Sequence, residues 1–375
     1  MPAVTNVLVV GAGSAGAATA ALLAREGVAV DLAEIRPEVS ALGSGITLHG
    51  NALRVLKHIG VLDEVIAAGY EFGTFGMLAP DAHATRLANL YESRTGGPEV
   101  PAVLGMLRPD LARILVDKAV RVGARLRLGT ACAGLTQSAG DVGVTFTDGS
   151  VGRYDLVIGA DGARSSIRAL LGLPGPRPTG LGVWRALVPR PASVTQLELI
   201  YGGPAYTAIC VPIDVSLAYA ALVVPAVEAA DLAPQQQLDS FRELAAAYHG
   251  PWDEFRHCLT DPGALNYTPV ETQILDAPWN RGRVVLIGDA AHTAPPTMAQ
   301  GAALALEDAA VLAELLIGGS AVDDGLWRAF SERRHPRVKW VIDASTQICQ
   351  LLLDGTSDGV PALMSQLNDL VSVPA

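Results

Sequence analysis

Lysine is nearly missing from this chain of 375 residues: only Lys57, Lys118 and Lys339 occur, and arginine supplies the other 24 of its 27 cations. We read that bias as genome composition. Positive charge is short overall, with a net charge of −11, and such an acidic surface argues against a nucleic acid or an anionic membrane as partner. Cysteine is scarce too. Cys132, Cys210, Cys258 and Cys349 lie far apart, with no CxxC and no paired histidine. That excludes an expected zinc site or disulfide framework and fits a reducing cytoplasm. No window reaches ~18 uninterrupted apolar residues, so no transmembrane helix is expected. The N-terminus has no cationic n-region and runs into Gly-Ala-Gly, unlike a signal peptide. Internal repeats and low-complexity linkers are missing as well. What remains is 50% apolar and 17% charged, a globular composition at a length natural for two domains.

The pattern predicts an α/β fold. Asn6 to Val10 (NVLVV) is a continuous apolar run, as a buried parallel strand requires. GAGSAG and a helical AATAALLAREG follow, and VAVDLAE reads as a second strand ending at Glu34. This is a βαβ unit of about thirty residues. Helices are expected over Gly50–Ile59, stopped by Gly60, and over Arg108–Val122, opened by Pro109. ARLRLGTACAGLTQ and VGVTFTDGS read as a hairpin or meander, and YDLVIGADG as another buried strand. From about 180 to 272 the texture becomes short β-rich runs, an antiparallel sheet, followed by a helix at LDSFRELAAAYHG. RVVLIGD then returns to the parallel type. ALALEDAAVLAELLIGG reads as an amphipathic helix, and a last helix spans roughly 325–353 with Pro336 as a kink or break.

Three motifs carry chemistry. In the first, Gly11 permits the tight turn out of the strand, Gly13 lets a pyrophosphate approach the backbone, and Gly16 lets helix and sheet pack closely. The helix N-terminus offers free N–H groups to phosphate, and Glu34 offers a carboxylate to a ribose. The second is DLVIGADGARSSIR, residues 155–168, where Asp161 and Gly162 sit on a turn, a carboxylate suits a ribose, and Arg164 and Arg168 suit phosphate. The third is GRVVLIGDAAH, with Asp289 ending a buried strand before Pro295-Pro296 fix a non-repetitive loop.

Together, in this order and spacing, the three motifs resemble those of the p-hydroxybenzoate hydroxylase family, the single-component FAD monooxygenases, over nearly the whole chain to about residue 350. The resemblance implies a discontinuous Rossmann-like FAD-binding domain (1–72, 102–178 and 270–335). It also implies an inserted antiparallel β-sheet substrate domain (73–101 and 179–269) and a C-terminal helical segment (336–375). It implies FAD held by Gly11, Gly13, Ala15 and Gly16 at the pyrophosphate, by Glu34 and Arg36 at the adenosine side, and by Arg108 near the phosphates. Asp161 and Gly162 would serve FAD and a transient NADH or NADPH. Gly288 and Asp289 would meet the ribityl or pyrophosphate side. Gly45 and Ile46, in LGSGITLHGN, would edge the flavin, and the isoalloxazine would lie beside Pro295, Pro296, Gln300, Gly301 and Ala302. Many relatives read GQGAN where this chain has Ala299 to Ala303; Ala299 fits the PPT-x-A-x-G form of the p-hydroxybenzoate enzymes, whereas Ala303 removes a side chain expected at the flavin edge.

The implied reaction is hydroxylation of an electron-rich aromatic or heteroaromatic small molecule with NAD(P)H and O2, through a flavin C4a-hydroperoxide. The protein's tasks are to exclude water, supply donors and activate the substrate. His49, Tyr201 and Tyr219 are the catalytic candidates, with Pro295 and Pro296 bracing the site. Trp184, Arg185 and Tyr206 are the substrate candidates. For each tyrosine the alternative is a half-buried strand residue with a wet hydroxyl. Arg185 either pairs with a substrate carboxylate or bridges strands, and His292 is expected to be structural, oriented beside Asp289. An epoxidase, a Baeyer–Villiger or decarboxylating oxygenase, or a flavin-binding redox protein without turnover stays open. A flavin halogenase does not fit, because no lysine lies between Lys57 and Lys118 and no Trp-x-Trp run occurs. The expected enzyme is cytoplasmic, needs no metal, and is a monomer or homodimer.

Overall fold

The computed structural model describes residues 2–39, 44–226 and 232–375. The first residues of the expected flavin-edge loop, 42 and 43, lie outside that set.

The βαβ unit forms as its sequence requires. Strand Asn6–Val10 is buried over its last four residues and pairs in parallel with Ala29–Ala33 on one side and Leu156–Gly159 on the other. Between the first two lies helix α1 (Ser14–Arg25), buried at ten of its twelve positions because helices cover its outer side as well. Strands Val284–Leu286 and Arg125–Arg127 extend the sheet in parallel at opposite ends, and the two-residue strand Asn280–Arg281 closes it antiparallel. The parallel strand at 284–286 joins the sheet more than a hundred residues after its neighbour, so this layer is discontinuous in sequence.

After the unit come strand Gly45–His49, α2 (Gly50–Ile59) and α3 (Leu62–Ala68); α2 stops at Gly60, which takes the left-handed conformation at φ 81°. Helix α4 (Arg108–Arg121) opens with proline in its first turn, and α5 (Ser166–Leu170) follows the Asp161 turn. The inserted layer is an eight-stranded sheet, with α6 (Pro234–Ala245) and α7 (Pro251–Cys258) following its strand Leu217–Pro225. The long strands Arg177–Pro189, Leu217–Pro225 and Thr207–Pro212 pair antiparallel. Thr74–Leu78 and Arg86–Tyr91 join the far edge of this sheet.

Three expectations change. Residues 125–127 join the parallel sheet instead of a hairpin, and the antiparallel piece is a three-stranded meander of 132–137, 142–146 and 151–154. Helix α8 (Gly301–Gly318) is not amphipathic, since Ala303 to Ala309 are all buried where α1, α2 and α9 surround it. Helix α9 (Asp324–Leu353) continues through Pro336 instead of breaking, so a boundary at 336 falls inside a helix. The buried Arg334 and Arg337, on either side of this proline, anchor the helix to Asp308 and Glu307 of α8. Helix α10 (Val360–Ser372) completes the chain.

Candidate active site

The phosphate loop is built by close approaches that only glycine allows. At Gly11, φ is +102°, and a Cβ would overlap the Ala160 carbonyl of the neighbouring loop. A Cβ at Gly16 would overlap the Gly11 carbonyl. Gly13 differs: it is exposed, and a Cβ there meets nothing within 4 Å. It is the N-cap of α1, no side chain caps that helix, and no acid lies in its first turn. The result is an open, partly positive cradle that suits a pyrophosphate. Glu34 is fixed at its rim, accepting hydrogen bonds from the Ala12 N–H (2.9 Å) and the Arg36 N–H (3.0 Å). Its carboxylate oxygens keep lone pairs for ribose hydroxyls. Ala15 is buried beneath the cradle and Arg36 is exposed beside it.

The Asp161 motif is built around the start of a short helix. Asp161 accepts hydrogen bonds from the Ser166 N–H (2.7 Å), Ser166 Oγ (2.8 Å), Ile167 N–H (3.1 Å) and Ser165 Oγ (2.5 Å). Its carboxylate therefore caps α5 through Oδ2, while Oδ1 takes only the Ser165 hydroxyl. Gly162, at φ +81°, forms the turn. Arg168 is buried and donates to the carbonyls of Ala163 (2.6 Å) and Ala290 (3.2 Å). Arg164 pairs with Glu271 through two bonds of 2.7 and 2.8 Å. Arg164 stays exposed in that pair, whereas Arg168 staples this motif to the loop that carries Asp289.

That loop meets the phosphate cradle. Gly288 has φ +57°, and a Cβ on it would lie 3.0 Å from Ala15 Cβ and 3.3 Å from Ala305 Cβ. Asp289 and Arg108 are both accessible to solvent. Yet burial pushes the Asp289 carboxyl up, against the charges of His292 and Arg108. Burial likewise lowers Arg108 from its usual value, against Tyr219 and Asp289 and together with Arg185. Groups that are accessible yet desolvated line a deep cleft. Arg108 Nε also donates to the Gly45 carbonyl at 3.3 Å, and a Cβ on Gly45 would lie 3.0 Å from Tyr219 Cβ. Arg108, Gly45, Asp289, Tyr219 and Arg185 thus share one neighbourhood where the two layers meet. Ile46 lies next to Gly45 in the same half-buried strand.

The proline loop forms one wall. Pro295 is buried and Pro296 exposed, and Thr297 Oγ1 donates to the Ser345 carbonyl at 3.0 Å. Ala299 takes the left-handed conformation at φ 52°. Gln300 is the N-cap of α8 and is buried, and no side chain caps that helix. A Cβ on Gly301 meets nothing within 4 Å, so a second uncapped helix N-terminus opens on free space, with Ala302 half-buried beside it. Ala303 is 2% exposed and packs in the core. His49 is half-buried at the N-cap of α2 and bonds to no group among the described residues. Burial alone pushes its imidazole down to about 4, which leaves it neutral at ordinary pH.

Strand alternation sorts the substrate candidates. On Arg177–Pro189, Leu181 and Val183 face the core shared with the parallel layer; Trp184, Ala186 and Val188 face a separate core with Phe241 and Trp252 from α6 and α7. Trp184 stacks on Tyr267 at 4.7 Å between centroids and is 2% exposed. It is a core residue on the far side of the sheet, not a substrate contact. Arg185 points the other way. Its Nε donates to Tyr219 OH at 2.9 Å, and its NH1 to Thr268 Oγ1. It bridges strands and has no carboxylate partner among the described residues. Tyr201, Tyr206 and Tyr219 all pack against the shared core, on the cleft side. Burial raises the Tyr201 hydroxyl above its usual value.

A buried charge cluster behind the cleft escaped the sequence reading. Glu307 and Asp308, on α8, are 1% and 0% exposed. Arg334 donates to Asp308 Oδ1 (2.7 Å) and Glu307 Oε2 (3.0 Å); Arg337 donates to both Glu307 oxygens (2.9 and 2.7 Å). His292 Nε2 lies 2.6 Å from Asp308 Oδ2, so it is structural as expected, but its partner is Asp308 and not Asp289. Burial would raise Asp308, yet His292, Arg334 and the Gly288 N–H hold it below the usual carboxylate range. The signal was an acidic pair inside an otherwise apolar helix run, ALALEDAAVL.

Comparison with known proteins agrees with this geometry. The family described as FAD binding domain matches residues 4–345. The chain is 32% identical over 346 residues to 3-amino-4-hydroxybenzoate 2-monooxygenase of Streptomyces cremeus, covering 88% of this chain and 84% of that one. It is 31% identical over 357 residues to 6-hydroxynicotinate 3-monooxygenase of Bordetella bronchiseptica, covering 90% and 89%. Among solved structures, Klebsiella pneumoniae HpxO complexed with FAD and uric acid shares the fold at TM-score 0.86 and 22% identity, over 99% of this chain and 97% of that one. The tetrameric form of 2-methyl-3-hydroxypyridine-5-carboxylic acid oxygenase superposes at TM-score 0.81 with 25% identity, over 97% and 95%.

Proposed function

The chain belongs to the FAD-binding domain family and is an FAD-dependent monooxygenase; from that premise we propose that it hydroxylates an electron-rich aromatic or N-heteroaromatic acid, with NADH or NADPH as reductant. The observation that carries this reading is Arg185. It is a half-buried guanidinium on the cleft side of the sheet, held by Tyr219 and Thr268, with no carboxylate partner among the described residues. An uncompensated cation in a desolvated cleft favours an anionic ligand.

In this reading the cradle at Gly11, Gly13 and Gly16 holds the FAD pyrophosphate and Glu34 its ribose. Asp289 and Arg108 meet the middle of the cofactor, and the Pro295–Gly301 wall with the α8 N-terminus meets the ring. Bound FAD supplies the electron transfer and the oxygen activation. The chain's own residues exclude water and orient the substrate. The rigid prolines fix one wall, the uncapped α8 N–H groups offer donors to developing negative charge, and Arg185 with Tyr219 orients the aromatic acid. We assign His49, which bonds no group among the described residues, to the substrate hydroxyl as a neutral hydrogen-bond partner, because an imidazole pushed down to about 4 is too weak a base to hold its proton. The free cysteines fit a cytoplasmic enzyme. Among the described residues no helix is long and apolar enough to cross a membrane.

The test is a screen of hydroxylated aromatic and pyridine acids alongside their uncharged amides. NAD(P)H oxidation, O2 uptake and product mass are measured with purified flavin-loaded protein. The expected result is turnover of an acid to a product heavier by one oxygen, with the amide weaker by at least about tenfold. Arg185→Gln should raise KM for the acid more than for the amide. Equal turnover of acid and amide by both proteins contradicts the substrate class.

A further inference from the structure

Two loops define the cofactor wall, and both are tied to adjacent residues of one helix. The Gly288 N–H donates to Asp308 Oδ2 at 2.9 Å, and His292 meets the same oxygen at 2.6 Å. Asp308 therefore clasps the 288–292 turn at both ends, with Asp289 between them. On the other side, Asn51 Nδ2 donates to Gln300 Oε1 at 3.0 Å and to Glu307 Oε1 at 3.3 Å. Gln300 immediately precedes the uncapped start of α8. Asn51 and Glu307 are buried, and Asn51 Oδ1 has no hydrogen-bond partner among the described residues. An orphaned buried amide oxygen costs about 1–3 kcal/mol, so Asn51 is not there for fold stability alone.

The same hub reaches the C-terminus. Arg337 bonds Glu307 with Nε and NH2, and its NH1 donates to the carbonyls of Leu370 (2.7 Å) and Val373 (3.0 Å) at the end of α10. Arg54, on α2, donates to the Val371 and Ser372 carbonyls at 3.2 Å each. These guanidinium groups take up carbonyls that a helix end leaves unpaired.

We propose that Glu307 and Asp308 are positioning residues: they hold the Asp289 turn and the Gln300 segment in fixed register around the flavin, with Asn51 as the relay and Arg337 coupling the hub to α10. This rests on the reading of the cleft as the FAD site. A hub of this kind sets the geometry of the donors that face the cofactor without touching it, as outer-shell partners do elsewhere.

The test uses Asn51→Leu, Glu307→Gln and Asp308→Asn in the full chain, with Lys339→Met as control; Lys339 pairs with Asp343 on the exposed side of α9, outside the hub. FAD dissociation constant, visible flavin spectrum, midpoint potential and apoprotein melting are read for each. Asn51→Leu should weaken FAD roughly tenfold and shift the spectrum, the equivalent of losing one buried hydrogen bond. That effect should vanish when Asn51→Leu is made in a Gln300→Leu background, because the relay acts through Gln300. The control should match the parent in all four readouts. If Asp308→Asn fails to fold, Asn51→Leu and Glu307→Gln carry the decision. Variants that melt earlier but bind FAD with parental affinity, spectrum and potential overturn the proposal and leave the FAD site standing. A parent chain that binds no FAD overturns the reading of the cleft and this proposal with it.

Discussion

Glu92 shows how much a single desolvated group can matter. It follows the edge strand Arg86–Tyr91, its side chain bonds nothing among the described residues, and burial pushes its carboxyl up to about 7. With the folded value above the ordinary 4.5, its proton is bound more tightly in the folded state. The native state is therefore most favoured below about pH 4.5, and loses that contribution as pH rises through 7. Glu92→Gln should leave stability unchanged near pH 4 and raise it by about 1–3 kcal/mol at pH 8, by denaturant unfolding at both pH values. Ala299 is a second isolated case. Its φ of 52° is a conformation that L side chains resist, so Ala299→Gly should stabilise by about 1 kcal/mol. An unchanged or lower melting temperature would show that its methyl contacts matter more. Residue type alone separated these cases unevenly. Gly11 and Gly16 were legible because no other side chain fits their approaches. The bonds from Asp161 to α5 were not legible, because spacing places an acid on a turn but does not say that a helix N-terminus takes its oxygens.

At the scale of elements, alternation along a strand decides function. Trp184 and Arg185 are adjacent and were both expected at the substrate, but they point to opposite faces, one into the α6–α7 core and one into the cleft. Which face is which depends on two layers packed from distant segments, and no local pattern carries that. Trp184→Ala should therefore cost about 3–5 kcal/mol of stability while the folded fraction keeps its flavin and its substrate KM. A selective rise in KM with unchanged stability would return Trp184 to the substrate site. Helix α8 was misread for a related reason. It was read as amphipathic, but its acidic pair is buried against Arg334 and Arg337, which sit 26 or more positions away on α9. Pro336 was similarly overridden, because tertiary bonds on both sides of it hold the helix together.

Across the whole molecule, the parallel layer resumes at Val284 after the antiparallel insertion, and the cleft lies where the layers meet. The phosphate cradle and the Asp289 loop come from opposite ends of the sequence, yet Ala15 and Gly288 stand one close contact apart. The order of the motifs was therefore informative about architecture, whereas the substrate surface, built from strand faces, was not. The most direct measurement of the central claim is a single-turnover experiment under isotopically labelled O2 with flavin-loaded protein, NAD(P)H and the best aromatic acid. The account predicts one labelled oxygen in the organic product for each nicotinamide oxidised. Nicotinamide oxidation that proceeds to hydrogen peroxide with no labelled product, for every aromatic acid tested, would contradict it.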